Sequence, residues 1–142
     1  RTSVLCVRGG GVAVRQDTAR MTRSRASAKQ AGAAAERAVA DHLAAALDDD
    51  RIDRRVKTGS KDRGDIGGVR VHGQRLCIEV KNHARVDLAG WVAEAQIEAG
   101  NDDALAGVVV HKRKGTTNVD RWYVTMTVAE LIAIITGQAA DL

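Results

Sequence analysis

The chain has 142 residues, 44% apolar and 28% charged, and this is one ordinary globular domain's worth of sequence rather than a disordered one. No apolar run approaches the ~18 residues of a membrane span, and the Val4–Val7 stretch, ended by Arg8, is too short for a secretory signal. The net charge of +4 is concentrated early, with four arginines against one aspartate in residues 1–20, so residues 21–142 carry a surplus of only one. Overall basicity therefore identifies no partner, and local clustering has to.

In chain order, residues 1–22, with the run Gly9-Gly10-Gly11 and no sustained periodicity, read as a flexible extension that precedes a single domain over 23–142. Ala35, Val39, Leu43 and Leu47 recur every four residues and predict a helix over 27–47, closed by Asp48-Asp49-Asp50. A mostly polar strand over 51–57 follows, with Ile52 and Val56 on one face, and then a loop over 58–64. Residues 66–72 and 75–81 predict a hairpin turning at Gly73-Gln74. Asp87 caps a second helix with the stripe Leu88, Val92, Ala95 and Ala99, ended by Gly100-Asn101. Residues 105–111 predict a strand buried on both faces, and 119–126 an alternating strand. Thr127-Val128-Ala129-Glu130 is a capping box for a last helix. The order αβββαββα makes this an α/β domain with a central mixed sheet flanked by helices.

The chemistry gathers in residues 65–81. On a strand, Cys77, Glu79 and Lys81 share a face while Leu76, Ile78 and Val80 take the other. Burying charge is costly unless it is paired or metal-bound, so Glu79 and Lys81 on a sheet face require a reason. The hairpin as read places Asp65 opposite Lys81 or Asn82 and converging on Glu79, with Gly67-Gly68 opposite Glu79. Two carboxylates, the Val80 carbonyl and water make a hard oxygen site suited to Mg²⁺, with Lys81 beside it to orient water and steady phosphate charge. The plain alternative is a cross-strand ion pair on an exposed face. Asp62 is a weaker candidate ligand, since it precedes the hairpin strand. Neither the four histidines nor the distant Cys6 and Cys77 have zinc or disulfide spacing.

Arg63-Gly64-Asp65-Ile66 followed by Ile78-Glu79-Val80-Lys81 resembles the Asp…Glu-x-Lys signature of the PD-(D/E)XK nuclease superfamily, with Gly64 where the signature has proline. Gly32-Ala33-Ala34-Ala35-Glu36-Arg37 resembles the Gly-x-x-x-Glu-Arg helix of archaeal-type Holliday junction resolvases. Ser60 falls near their active-site serine, and Gln96 matches a glutamine of several branches. The resemblance covers about residues 30–125. It implies a restriction-endonuclease-like αβββαβ core and a Mg²⁺-dependent (or Mn²⁺-dependent) deoxyribonuclease, a structure-specific endonuclease most like a junction resolvase. It further implies catalytic roles for Asp65, Glu79, Lys81, Glu36, Gln96 and Ser60, and metal ligation by Asp65, Glu79, Val80 and Glu36. A nuclease of the superfamily acting on ends or flaps, and a silent nucleic-acid-binding module, stand as alternatives.

Six cations over residues 51–63 lead into the proposed site. Arg54, Arg55, Lys57, Lys61 and Arg63, with Lys112, Arg113 and Lys114 as a second patch, are the candidate DNA-binding residues. Branched DNA has two-fold symmetry, so a homodimer is expected, with Trp122, Met126 and Ile134 available for its surface. The expected location is the cytoplasm.

Overall fold

The computed structural model describes residues 24–141, so the extension expected over 1–22 lies outside the described residues. The elements are α1 (Arg25–Ala46), β1 (Asp53–Arg54), β2 (Ile66–Gly67), β3 (Arg70–Val71), β4 (Gln74–Lys81), α2 (Leu88–Asn101), β5 (Ala106–His111), β6 (Tyr123–Thr125) and α3 (Val128–Thr136). The fold is α/β, a mixed sheet of six described strands flanked by helices. Five strands lie in the order β1-β2-β4-β5-β6, and β3 extends the hairpin beside β4. Among the described strands only β4 and β5 run parallel, joined through α2, from Leu76 opposite Ala106 to Lys81 opposite His111. Among the described residues, no helix is long and apolar enough to cross a membrane.

The two sheet faces are built from opposite halves of the same alternation. Ile66, Ile78, Val80, Val108 and Val110 pack under Ala35, Val39 and Ala40 of α1, with Ile52 and Trp122 completing that core. On the other face Val109 packs against Trp91 and Ala95 of α2. Gly107 lets α2 come down onto the sheet, because a Cβ there would strike the Ala95 carbonyl oxygen. The Glu130 carboxylate of α3, itself buried, accepts the Gly107 N–H at 3.0 Å.

Several expectations are corrected. The hairpin turns at His72-Gly73, both with positive φ, and not at Gly73-Gln74. The first hairpin strand is interrupted at Gly68-Val69, where Gly68 has φ +88° and a Cβ would strike the Arg51 carbonyl oxygen. Ile66 consequently pairs with Ile78, which sets Asp65 beside Glu79 rather than opposite Lys81. The strand expected over 51–57 shrinks to Asp53–Arg54, and Val56 is 78% exposed while Ile52 is buried, so the two do not share a buried face. Residues Val119–Arg121 form a 3₁₀ turn capped by Asn118, which shortens the following strand to Tyr123–Thr125. The capping box closes only halfway. Thr127 Oγ1 accepts the Glu130 N–H at 3.2 Å, but the Glu130 side chain goes to Gly107. Trp122 is in the core, with Met126 and Ile134 packed against it, so none of the three forms an open dimer surface.

Candidate active site

Asp65, Glu79 and Lys81 meet at the end of β4, lining one open cavity of about 1090 Å³ with Glu36, Val80 and Lys57. Asp65 and Glu79 are buried, 4% and 6% exposed, which is rare for carboxylates without full partnering. Asp65 Oδ2 accepts the Val80 N–H at 2.8 Å. Glu79 Oε1 lies 3.0 Å from Lys81 Nζ, while its Oε2 has no hydrogen-bond partner among the described residues. Glu94 of α2 holds the other side of the ammonium, 2.6 Å from Nζ.

The electrostatics follow from this crowding. Burial and the neighbouring Glu79 push Asp65 up to about 7, against the pull of the Val80 N–H. Burial, and then the Glu98 carboxyl, push Glu79 up to about 8, with Lys81 opposing. Burial alone would lower Lys81, yet Glu94 and Glu79 hold it above the ordinary lysine value. The Glu98 carboxyl is itself raised, chiefly by burial, and its Oε2 is also without a partner. Two near-neutral carboxyl groups beside a firmly charged ammonium can hold or release protons near neutral pH and attract a hard cation.

Among the described residues, no three His, Cys, Asp or Glu side chains are arranged to hold a metal ion as they stand. The donor set nevertheless suits Mg²⁺, which is ordinarily held by one or two carboxylates with waters and substrate phosphates completing its shell. The unpartnered Glu79 Oε2 beside Asp65 supplies the hard, orphaned oxygen such an ion needs.

The remaining expected residues divide sharply. Glu36 reaches the cavity from α1, but its Oε2 is held by Arg54 at 2.7 and 3.1 Å, which takes Arg54 from the free cations. Ser60 lines a different cavity, and half-buried Gln96 lines neither. The α2 face turned to the sheet carries Trp91, Ala95, Glu98 and Ala99, a stripe rotated from the expected one, in which Leu88 is 42% exposed. Glu94 and Glu98 are therefore the site residues that sequence reasoning missed. Their signal was present, since both fall at helical spacing from Trp91.

Of the other candidate DNA-binding residues, Arg55 is ion-paired with buried Asp102 at 2.8 Å, and Lys57 with Asp62 at 3.0 Å. Lys112 lies over Trp122 and Arg113 over Tyr123, each 5.9 Å from the ring centre. Lys114 and Arg85 line the carboxylate cavity, and Lys61 and Arg63 stay exposed with no ion pair among the described residues. No family model matches the chain, nor does any curated protein or solved structure.

Proposed function

We propose that this protein is a metal-dependent DNA endonuclease with a restriction-endonuclease-like core, hydrolysing phosphodiester bonds in branched DNA such as a Holliday junction. One observation carries the reading. Buried Asp65 and Glu79, displaced to near-neutral pKa, stand with Lys81 in an open cavity rimmed by Lys57, Arg85 and Lys114. A purely structural ion pair explains Lys81 and one oxygen of Glu79. It leaves Asp65 and the second Glu79 oxygen without a reason for burial.

Asp65 and Glu79 would hold Mg²⁺ or Mn²⁺, which when bound supplies an acidified water and neutralises phosphate charge. Arg85 and Lys114 would receive the phosphodiester backbone and keep it against the carboxylates, with Lys57 held beside them by Asp62. Lys81 stays protonated because Glu94 and Glu79 brace its ammonium, so it stabilises charge growing on the phosphoryl oxygens rather than acting as a base. In the hydrolysis, water oxygen bonds to phosphorus, the bond to one ester oxygen breaks, and a proton ends on that leaving oxygen.

Cutting both strands of a junction calls for a homodimer, and the exposed Val128, Leu131, Ile132 and Ile135 face of α3 replaces the surface first expected. Leu131→Glu tests it, leaving a monomer in analytical ultracentrifugation if that face is the interface. Activity is tested on a panel of four-way junctions, flaps, linear duplex and single strands, with and without Mg²⁺. Junction cutting that falls by about 10³-fold in Glu79→Gln supports the assignment. Cutting by that variant at the parental rate overturns it, and preference for flaps or ends selects a related nuclease instead.

A further inference from the structure

A second cavity, of about 480 Å³, is formed by the loop after β1 together with Arg75 and Asp102. That volume lies within the ~300–1,000 Å³ of sites for small organic ligands. A phosphate alone, comparable to a few waters at ~30 Å³ each, would leave most of it empty.

Five lysines and arginines line the cavity against two aspartates. Arg55 and Arg75 are fixed in its wall. The Arg55 guanidinium spans the Asp102 carboxylate at 2.8 Å and the Arg63 carbonyl at 3.1 Å, and Arg75 donates to the Asp102 carbonyl at 2.9 Å. Planar guanidiniums braced in this way offer flat faces on which a nucleobase stacks. Lys61 and Arg63 contribute charge that no carboxylate among the described residues takes up, as a phosphate requires. Thr58, Gly59 and Ser60 add an uncharged stretch to the same lining. Lys57 lines this cavity and the carboxylate cavity alike, so the two are neighbours along one path.

We propose that this cavity binds one unpaired nucleotide, its base against Arg55 and Arg75 and its phosphate at Lys61 and Arg63. The assignment deepens the nuclease reading and rests on it for the origin of the nucleotide, an extrahelical residue of the strand whose phosphodiester enters the carboxylate cavity. A free mononucleotide has the same chemistry and is the simplest probe.

The test is calorimetric titration of the full chain with the four deoxynucleoside 5′-monophosphates and with inorganic phosphate, repeated in Thr58→Trp. Thr58 is exposed, so the substitution fills the cavity from its rim without removing charge or core, and a thermal melt checks the fold. Mononucleotides should bind at least about tenfold tighter than phosphate. Thr58→Trp should abolish that margin while leaving phosphate binding as it was. In a second arm, a duplex carrying one unpaired nucleotide should bind more tightly than the fully paired duplex, and Thr58→Trp should equalise them. Equal affinity for phosphate and mononucleotides, or indifference to Thr58→Trp, overturns the proposal even if Mg²⁺-dependent cleavage is found. Mononucleotide binding without any cleavage supports the cavity and removes the nuclease reading instead.

Discussion

Strand β4 separates two environments a few ångströms apart. Toward α1, Ile78 and Val80 join a core of aliphatic side chains in which shape is the only demand. Toward α2, Cys77 and Glu79 are buried as deeply, with Lys81 half-buried beside them, but among Asp65, Glu94 and Glu98, where charge is crowded and the Oε2 atoms of Glu79 and Glu98 lack partners among the described residues. The first face is optimised for stability. The second spends stability on a poised arrangement, the usual mark of a functional site.

Chemistry gives the largest break. Lys81→Ala should lower cleavage by about 10³-fold while divalent-ion binding, read by calorimetry, persists, because both carboxylates stay. Ile78→Ala, on the opposite face, should cost about 2–5 kcal/mol in urea unfolding through the cavity it leaves in a well-packed core. Asp65→Asn should do the reverse. The amide oxygen still accepts the Val80 N–H, the repulsion with Glu79 disappears, and stability at pH 8 should rise by roughly 2 kcal/mol as activity is lost.

A fourth test uses pH. In the folded state Asp65 and Glu79 keep their protons up to about 7 and about 8, whereas in an unfolded chain they release them near pH ~4. The folded state thus binds more protons between these values, and their contribution to stability should fall as pH rises from ~4 to ~8. Mg²⁺ at pH 8 should restore it, and Asp65→Asn should flatten the profile in chemical denaturation. The smallest effect belongs to the exposed loop. Lys61→Ala with Arg63→Ala should weaken DNA binding and flatten its log–log salt dependence by roughly 1.8, with unfolding unchanged.

Much of the arrangement was legible because β4 writes its two faces in alternate letters, and Asp87 and Thr127 announce their helices. What escaped was tertiary. Glu94 and Glu98 lay hidden on a helix whose alanines allowed several choices of inner face. The hairpin register slipped because the turn fell one residue early and Gly68-Val69 broke the strand. The basic run was countable, but that Arg54 and Arg55 are taken by Glu36 and Asp102 depends on chain segments far away in sequence.

Gly107 has an effect at a distance. It works as a spacer of minimum thickness, fixing how low α2 rides over the sheet, and α2 carries the carboxylates that brace Lys81 and raise Glu79. The height of that helix is thereby converted into the tuning of a proton equilibrium in the neighbouring strand. A methyl group at position 107 would lift the brace without touching the reacting groups, and displacements of ~1 Å at that remove are known to cost on the order of 10²-fold in rate. Because the added Cβ would meet helix backbone, a survey of substitutions scored separately for folding and for turnover would register the position in both columns.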